Sequence, residues 1–191
     1  MKRAPGRLRI IGGEWRSRVV EFDADNGVRP TPDRVRQTLF DWLTPLIDGA
    51  RCLDLFAGSG ALGLEALSRG AACVTFVDRG RAQVETIVRA LENLQARERA
   101  EIAQVDALAF LATAARYDVA FLDPPYDAGL LEPALIALRD HLTDVNRVYV
   151  EWRKGETPAF PDGYGLLREK AAGHVSYGLL SYRADQGESA K

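Results

Sequence analysis

From residue 51 onward the chain alternates between short apolar runs and amphipathic stretches, and this alternation restricts its fold more than any other feature. The strand candidates are 51–56, 72–78, 101–105, 117–123 and 146–152, with helical stretches near 60–69, 80–96, 107–115 and 129–141 between them. Strand and helix in repeated order predict an α/β domain with a largely parallel central sheet. Val119-Ala120-Phe121-Leu122 is apolar at every position, as a strand buried on both faces requires. A length of 191 residues fits one such domain with a small extension.

Both ends depart from the alternation. Residues 7–11 and 18–22 read as two short strands around Gly12-Gly13, predicting a hairpin or bent ribbon. Arg29-Pro30-Thr31-Pro32 then stops regular structure. Thr31 is expected to cap a helix with Pro32 at its first position. Val35, Leu39, Trp42, Leu43 and Leu46 recur at helical spacing, so the helix should run over 32–46. At the other end, 164–170 and 175–183 flank Ala172-Gly173 with no helix between them, predicting an antiparallel hairpin added to the sheet. The expected organisation is a basic hairpin-and-helix extension over 1–48, an α/β domain over 49–184, and a polar, disordered tail over 185–191.

Charge is distributed unevenly. The net charge is −2, yet residues 1–36 hold nine Lys/Arg against five Asp/Glu, leaving sixteen against twenty-two for the rest. The imbalance is sharpest at the start, where Lys2, Arg3, Arg7, Arg9, Arg16 and Arg18 face only Glu14. An acidic body with a basic end suits a polyanion gripped at one place. Two cysteines, Cys52 and Cys73, are too few for a disulfide framework or a cysteine zinc site, and they read as buried residues in a reducing compartment. Neither His141 nor His174 has a metal-ligand partner, so no metal is expected. No stretch reaches the ~20 apolar residues that span a bilayer. These features predict a cytoplasmic protein with no membrane contact.

The first strand of the α/β region runs into Asp54-Leu55-Phe56-Ala57-Gly58-Ser59-Gly60-Ala61-Leu62-Gly63. Gly58, Gly60 and Gly63 satisfy G-x-G-x-x-G between strand and helix, and Asp78 follows Gly58 by twenty residues. That is the dinucleotide fingerprint, so a nicotinamide-dependent oxidoreductase has to be weighed. Asp54, at the strand's carboxyl end, fits a pyrophosphate poorly because the two would repel. It suits a ligand carrying an ammonium and a sulfonium, such as S-adenosylmethionine. Asp106, after the third strand, can accept from an adenine amino group, and the Ala107 N–H can donate to the ring. Asp78 would take ribose hydroxyls in either case. Each acid alone reads as a helix cap; three at successive strand ends, beside a glycine loop, read as a ligand site.

Asp123-Pro124-Pro125-Tyr126 follows the fourth strand, on the same side of the sheet as the glycine loop. Two prolines fix the backbone and remove two donors, leaving only acceptors around a cleft. An aromatic exocyclic amine needs that arrangement, because its lone pair is delocalised and attacks poorly. The Asp123 carboxylate and the Pro124 carbonyl can hold its two hydrogens and aim the lone pair at a methyl group for direct in-line displacement. Positioning of this kind can contribute ~7–11 kcal/mol. Tyr126 would stack on an extruded base.

With these motifs the chain resembles the bacterial 16S ribosomal RNA guanine-N2 methyltransferases of the RsmD type. The resemblance rests on Arg9-Ile10-Ile11-Gly12-Gly13-Glu14-Trp15-Arg16, Arg29-Pro30-Thr31, Asp33-Arg34-Val35-Arg36 and Thr38-Leu39-Phe40, and on Leu53 through Gly60 and Phe121 through Tyr126. It implies a Rossmann-like seven-stranded methyltransferase fold. It also implies methylation of one guanine at N2, in 16S ribosomal RNA held in a small-subunit assembly particle, by a monomer. The catalytic residues are then Asp123, Pro124 and Tyr126. The cofactor site would draw on Asp54, Phe56, Ala57, Gly58, Gly60, Asp78, Asp106, Ala107 and Thr31. RNA would be contacted by Arg7, Arg9, Arg16, Arg18 and Arg34, with Trp15 anchoring the hairpin. The chain departs from the family pattern at Ser17, where glycine is common, and at Asp78, where glutamate is frequent.

Three other readings stand beside this one. An adenine-N6 methyltransferase acting on DNA or RNA would use Asp-Pro-Pro-Tyr equally well, and only the resemblance points to guanine. The nicotinamide enzyme lacks an evident hydride-site partner. A catalytically dead RNA-binding assembly factor has no need for the intact Asp123–Tyr126 motif.

Overall fold

The computed structural model describes residues 6–22, 30–156 and 158–184. Lys2, Arg3, Arg29 and the tail from Asp185 lie outside these residues.

The alternation builds a seven-stranded sheet. Its strands are β3 (Arg51–Asp54), β4 (Cys73–Asp78), β5 (Ala100–Gln104), β6 (Tyr117–Leu122), β7 (Leu142–Arg153), β8 (Tyr164–Ala172) and β9 (Val175–Tyr182). The spatial order is β5-β4-β3-β6-β7-β9-β8, parallel from β5 through β7, with β9 antiparallel to both β7 and β8. The chain builds outward from β3 through β4 to β5, then returns to pair β6 on the other side of β3. The β3–β6 boundary is therefore the switch point of the sheet, where ligands of open α/β folds bind.

The central strands bury both faces, whereas the edge strand β8 is largely exposed. Along β6, Val119 and Phe121 enter one core layer while Ala120 and Leu122 enter the other. The first layer is closed by α1 (Asp33–Ile47), α2 (Ala61–Ser68) and α3 (Arg81–Asn93), with Phe40 of α1 5.9 Å from Phe121 between ring centroids. The second is closed by α4 (Ala107–Leu111) and α5 (Leu131–Leu138). The α1 face is built from Val35, Leu39 and Leu43 as its spacing predicts, extended by Phe40 and Ile47.

The N-terminal strands β1 (Gly6–Arg9) and β2 (Val19–Phe22) pair antiparallel as a separate ribbon. Leu8, Ile10, Trp15, Val20 and Phe22 belong to the same apolar cluster as the first core layer. The ribbon thus packs on the domain rather than standing off it. Trp15 is 4% exposed under the Arg99 guanidinium, which is the anchoring role expected of it. The turn before β2 carries Ser17 at φ 69°, a left-handed conformation that glycine adopts more readily than serine.

Several expectations need correction. Thr31 does not cap α1: the helix begins at Asp33 with Pro32 at its N-cap and no side-chain capping bond. Pro32 has no N–H and holds an extended ψ of 147°, so the chain enters the helix one residue late. The stretch expected over 107–115 yields only Ala107–Leu111 as helix. The fifth strand is longer than expected, because Leu142–Asn146 joins 146–152 in one run beside β6 and β9. No helix among the described residues is long and apolar enough to cross a membrane.

Candidate active site

The switch point determines which acids meet. Asp54 pairs with Phe121 across β3 and β6, and Leu122 pairs with Val150 across β6 and β7. One residue further on, Asp123 and Glu151 therefore leave neighbouring strands side by side. Strand alternation puts Asp54, Asp123 and Glu151 on the α1 face of the sheet. Among the described residues no set of three metal-ligating side chains is spaced to hold an ion.

Asp54 is 3% exposed and accepts a hydrogen bond from the Gly63 N–H at 3.0 Å. Burial pushes its carboxyl up to about 7; the Gly63 N–H opposes the rise and the negative charge of Asp78 adds to it. A buried acid so placed is returned to its ionised form by a cation. The loop after it is drawn tightly: Gly60 takes a φ of 76° where its N–H meets the Ala57 carbonyl at 2.7 Å. At Gly63 the packing is so close that a Cβ would lie 2.2 Å from the Phe76 ring. The third glycine of the motif thus lets α2 pack against β4.

Asp78 closes this loop. Its Oδ2 accepts from the Gly58 N–H at 2.8 Å and its Oδ1 from the Gly80 N–H at 2.7 Å. Asp106 caps α4, its Oδ1 accepting from the Leu108 and Ala109 N–H groups at 2.9 and 3.2 Å. Each carboxylate has lone pairs beyond these bonds, so capping and ligand binding are compatible in both. Phe56 is half-buried against the second core layer, and Ala57 and Ala107 are buried at the loop and helix starts. The sheet brings all of these to one edge.

Asp123 is half-buried and Pro124 buried, whereas Tyr126 is 42% exposed at the mouth. Burial, then the negative charges of Glu151 and Asp54, hold the Asp123 carboxyl well above its usual range. The Tyr126 hydroxyl reaches Glu151 Oε2 at 3.4 Å. Beyond Tyr126, an open cleft of about 460 Å³ is lined by Arg153, Lys154, His174 and Val175. Thr31 lies buried on the inner side, and its side chain helps hold the Glu151 carboxyl down against the effect of burial.

The five arginines expected to face RNA are all exposed, but they are not gathered in one place. Arg34 sits in the first turn of α1, and Arg9 pairs with Asp33 there at 3.3 Å. Arg7 lies two residues earlier on the same ribbon, opposite Glu21. Arg18 instead bonds the carbonyl of Asn93, the last residue of α3, at 2.9 Å, and Arg16 lies in the turn fastened to Ser68 at the end of α2. Both helices start at the site edge of the sheet, so their last residues lie at the opposite edge.

Three residues that shape this region escaped the sequence reading. Glu151 carried a usable signal, an acid at the carboxyl end of the fifth strand candidate, matching the three aspartates already noted. Arg36 and Glu65 had none, since a charged residue inside an amphipathic helix ordinarily faces water. Here both side chains are fully buried.

This strand order, with acids at the strand ends flanking a glycine loop, defines a Rossmann-like methyltransferase. The chain belongs to the family described as Conserved hypothetical protein 95, whose model matches residues 8–181, and is of the RsmD type. It is 46% identical over 188 residues to Ribosomal RNA small subunit methyltransferase D of Escherichia coli strain K12, spanning 96% of this chain and 94% of that protein. The protein of the same name from Haemophilus influenzae is 42% identical over 182 residues, spanning 92% and 94%. The solved structure of yhhF from Escherichia coli matches with a TM-score of 0.85 at 45% identity, covering 94% of this chain and 100% of that one.

Proposed function

We propose that this methyltransferase uses S-adenosylmethionine to methylate the exocyclic N2 amine of one guanine in 16S ribosomal RNA, within a small-subunit assembly particle. The observation that carries the chemistry is the placement of Asp54 and Asp123 at the carboxyl ends of the adjacent strands β3 and β6, at the switch point, which supports a cation site beside an amine site. The names of the Escherichia coli and Haemophilus influenzae relatives support ribosomal RNA as the substrate.

When bound, S-adenosylmethionine supplies an electrophilic methyl group on a sulfonium. The residues present fit it: Asp54 would hold its ammonium, the Gly58–Gly60 backbone would allow close approach, Asp78 would accept from the ribose, and Asp106 and the Ala107 N–H would read the adenine. Thr31 closes the inner wall. The Asp123 carboxylate and Pro124 carbonyl accept the two amine hydrogens, and Tyr126 stacks on the base. As the amine nitrogen takes up the methyl group that the cofactor would supply, Asp123 would accept the amine proton released. Arg7, Arg9 and Arg34 hold phosphates near the mouth, while Arg16 and Arg18 extend the basic surface along a larger RNA. The enzyme acts as a cytoplasmic monomer.

Transfer of tritiated methyl groups to small-subunit particles and free 16S RNA, both from a strain lacking the enzyme, tests this reading. Nucleoside analysis should yield N2-methylguanosine, with the particle preferred. N6-methyladenosine, or transfer to protein alone, would overturn it.

A further inference from the structure

Asp-Pro-Pro-Tyr holds an aromatic amine without distinguishing guanine from adenine. The two bases differ beside that amine. Next to its N2 amine guanine carries N1–H, a donor; next to its N6 amine adenine carries a bare N1, an acceptor. A reader of this difference has to sit beside Asp123, be buried, and accept hydrogen bonds only.

Glu151 meets those conditions. The β6–β7 register places it next to Asp123. It is 5% exposed. Its Oε1 accepts from the Tyr149 hydroxyl at 2.7 Å, and Oε2 receives the long 3.4 Å contact from Tyr126. Burial raises the Glu151 carboxyl, and hydrogen bonds from Tyr149, Tyr126 and Thr31 oppose the rise. These hydroxyls favour the acceptor form. Tyr126 is the exposed member, and its turn onto an incoming base would free Oε2 of the tyrosine contact.

We infer that Glu151 is a specificity-determining residue that accepts the N1–H of the target guanine, so that Glu151, Asp123 and the Pro124 carbonyl together match the three donors of guanine's N1–H and N2 amine. An adenine in the same place would set its N1 lone pair against a carboxylate. The negative charge of Glu151 acts against that of Asp123, and the donors of guanine relieve this repulsion where those of adenine do not. This inference rests on the proposed guanine-N2 reaction and supplies its base selectivity.

The test replaces the target guanine, once mapped, in reconstituted particles. 2-Aminopurine retains the 2-amine but has a bare N1; adenine tests the alternative amine. The wild-type enzyme should methylate guanine over 2-aminopurine by about tenfold or more in kcat/KM. Glu151→Gln, whose amide can donate to a bare N1, should shrink or invert that ratio while cofactor affinity and melting temperature stay near wild type; Glu151→Asp should restore part of it. Equal wild-type rates on guanine and 2-aminopurine would overturn the inference, and this arm needs no variant to fold. So would an unchanged ratio in Glu151→Gln with both rates lowered alike, the mark of a merely structural role. Methylation of the adenine substrate in preference to guanine would instead remove the guanine reading on which the inference rests.

Discussion

Arg36 and Glu65 form an ion pair with both side chains fully buried, Nη1 to Oε2 at 3.2 Å, at the point where the N-terminal ribbon, α1 and α2 meet. The guanidinium also donates to the Thr31 carbonyl at 3.1 Å, to the Arg9 carbonyl at 2.8 Å and to Asp33 Oδ1 at 2.6 Å. The carboxylate accepts from the Ile11 and Gly12 N–H groups, each at 2.9 Å, and from Arg69 Nε at 2.7 Å. The pair therefore fastens the basic ribbon to the domain and sets the position of Thr31 in the site.

Breaking that pair should be costly, because the remaining charge is stranded without water. Glu65→Ala is expected to lose about 3–5 kcal/mol in urea denaturation. A loss below about 1 kcal/mol would show that the ribbon is held by apolar packing alone.

The buried Asp54 carboxyl predicts an unusual pH dependence. Its folded-state value of about 7 lies above the ordinary 3.8, so between these the folded chain binds more protons than the unfolded one. The contribution of Asp54 to stability accordingly falls as pH rises through this window and levels off above it. S-adenosylmethionine, whose ammonium favours the ionised acid, should bind more tightly as pH rises toward 7, by up to about tenfold per unit. Calorimetry from pH 5.5 to 8 checks this, and Asp54→Asn should flatten both profiles while weakening cofactor binding. A profile identical in the variant would remove Asp54 from the cofactor site.

Asp123→Asn preserves the shape of the motif but replaces one acceptor with a group that also donates. Transfer should slow by at least about 100-fold, with cofactor affinity within a few-fold of wild type. Single-turnover methyl transfer alongside calorimetry separates the two effects, and a loss confined to cofactor binding would contradict the assignment.

Ser17 holds a left-handed backbone with φ 69°. Glycine adopts this without a Cβ clash, so Ser17→Gly should be neutral or stabilising by up to about 1 kcal/mol, the gain limited by the larger unfolded-state entropy of glycine. Thermal unfolding would show this; clear destabilisation would mean that the serine side chain has a role of its own.

RNA binding should depend on salt through the arginines at the mouth. Charge reversal at Arg34 or Arg7 is expected to weaken particle binding and to lower the slope of log K against log salt by about one for each phosphate no longer neutralised. Filter binding across a salt series reads this directly, and an unchanged slope would take these residues out of the RNA interface.

The sequence by itself determined the elements and the chemistry of the motif. Period and turn residues are local, so β3 through β9, the glycine loop and Asp-Pro-Pro-Tyr could be read from neighbours in the chain. Strand-end acids were legible for the same reason: a carboxylate after an apolar run has to lie at the sheet's edge. Local signals misled where tertiary context outweighed them, as at Thr31, which lies buried in the site without capping the helix, and at β7, whose extra length is drawn out by pairing with Tyr117 of β6. Only the tertiary structure decided that Asp123 and Glu151 stand side by side, because that depends on parallel register between strands separated by a whole helix. It likewise decided that Arg36 and Glu65 are buried and that Arg18 lies away from the mouth. Whether a charge faces water depends on which surface covers it, and residues distant in the chain supply that surface.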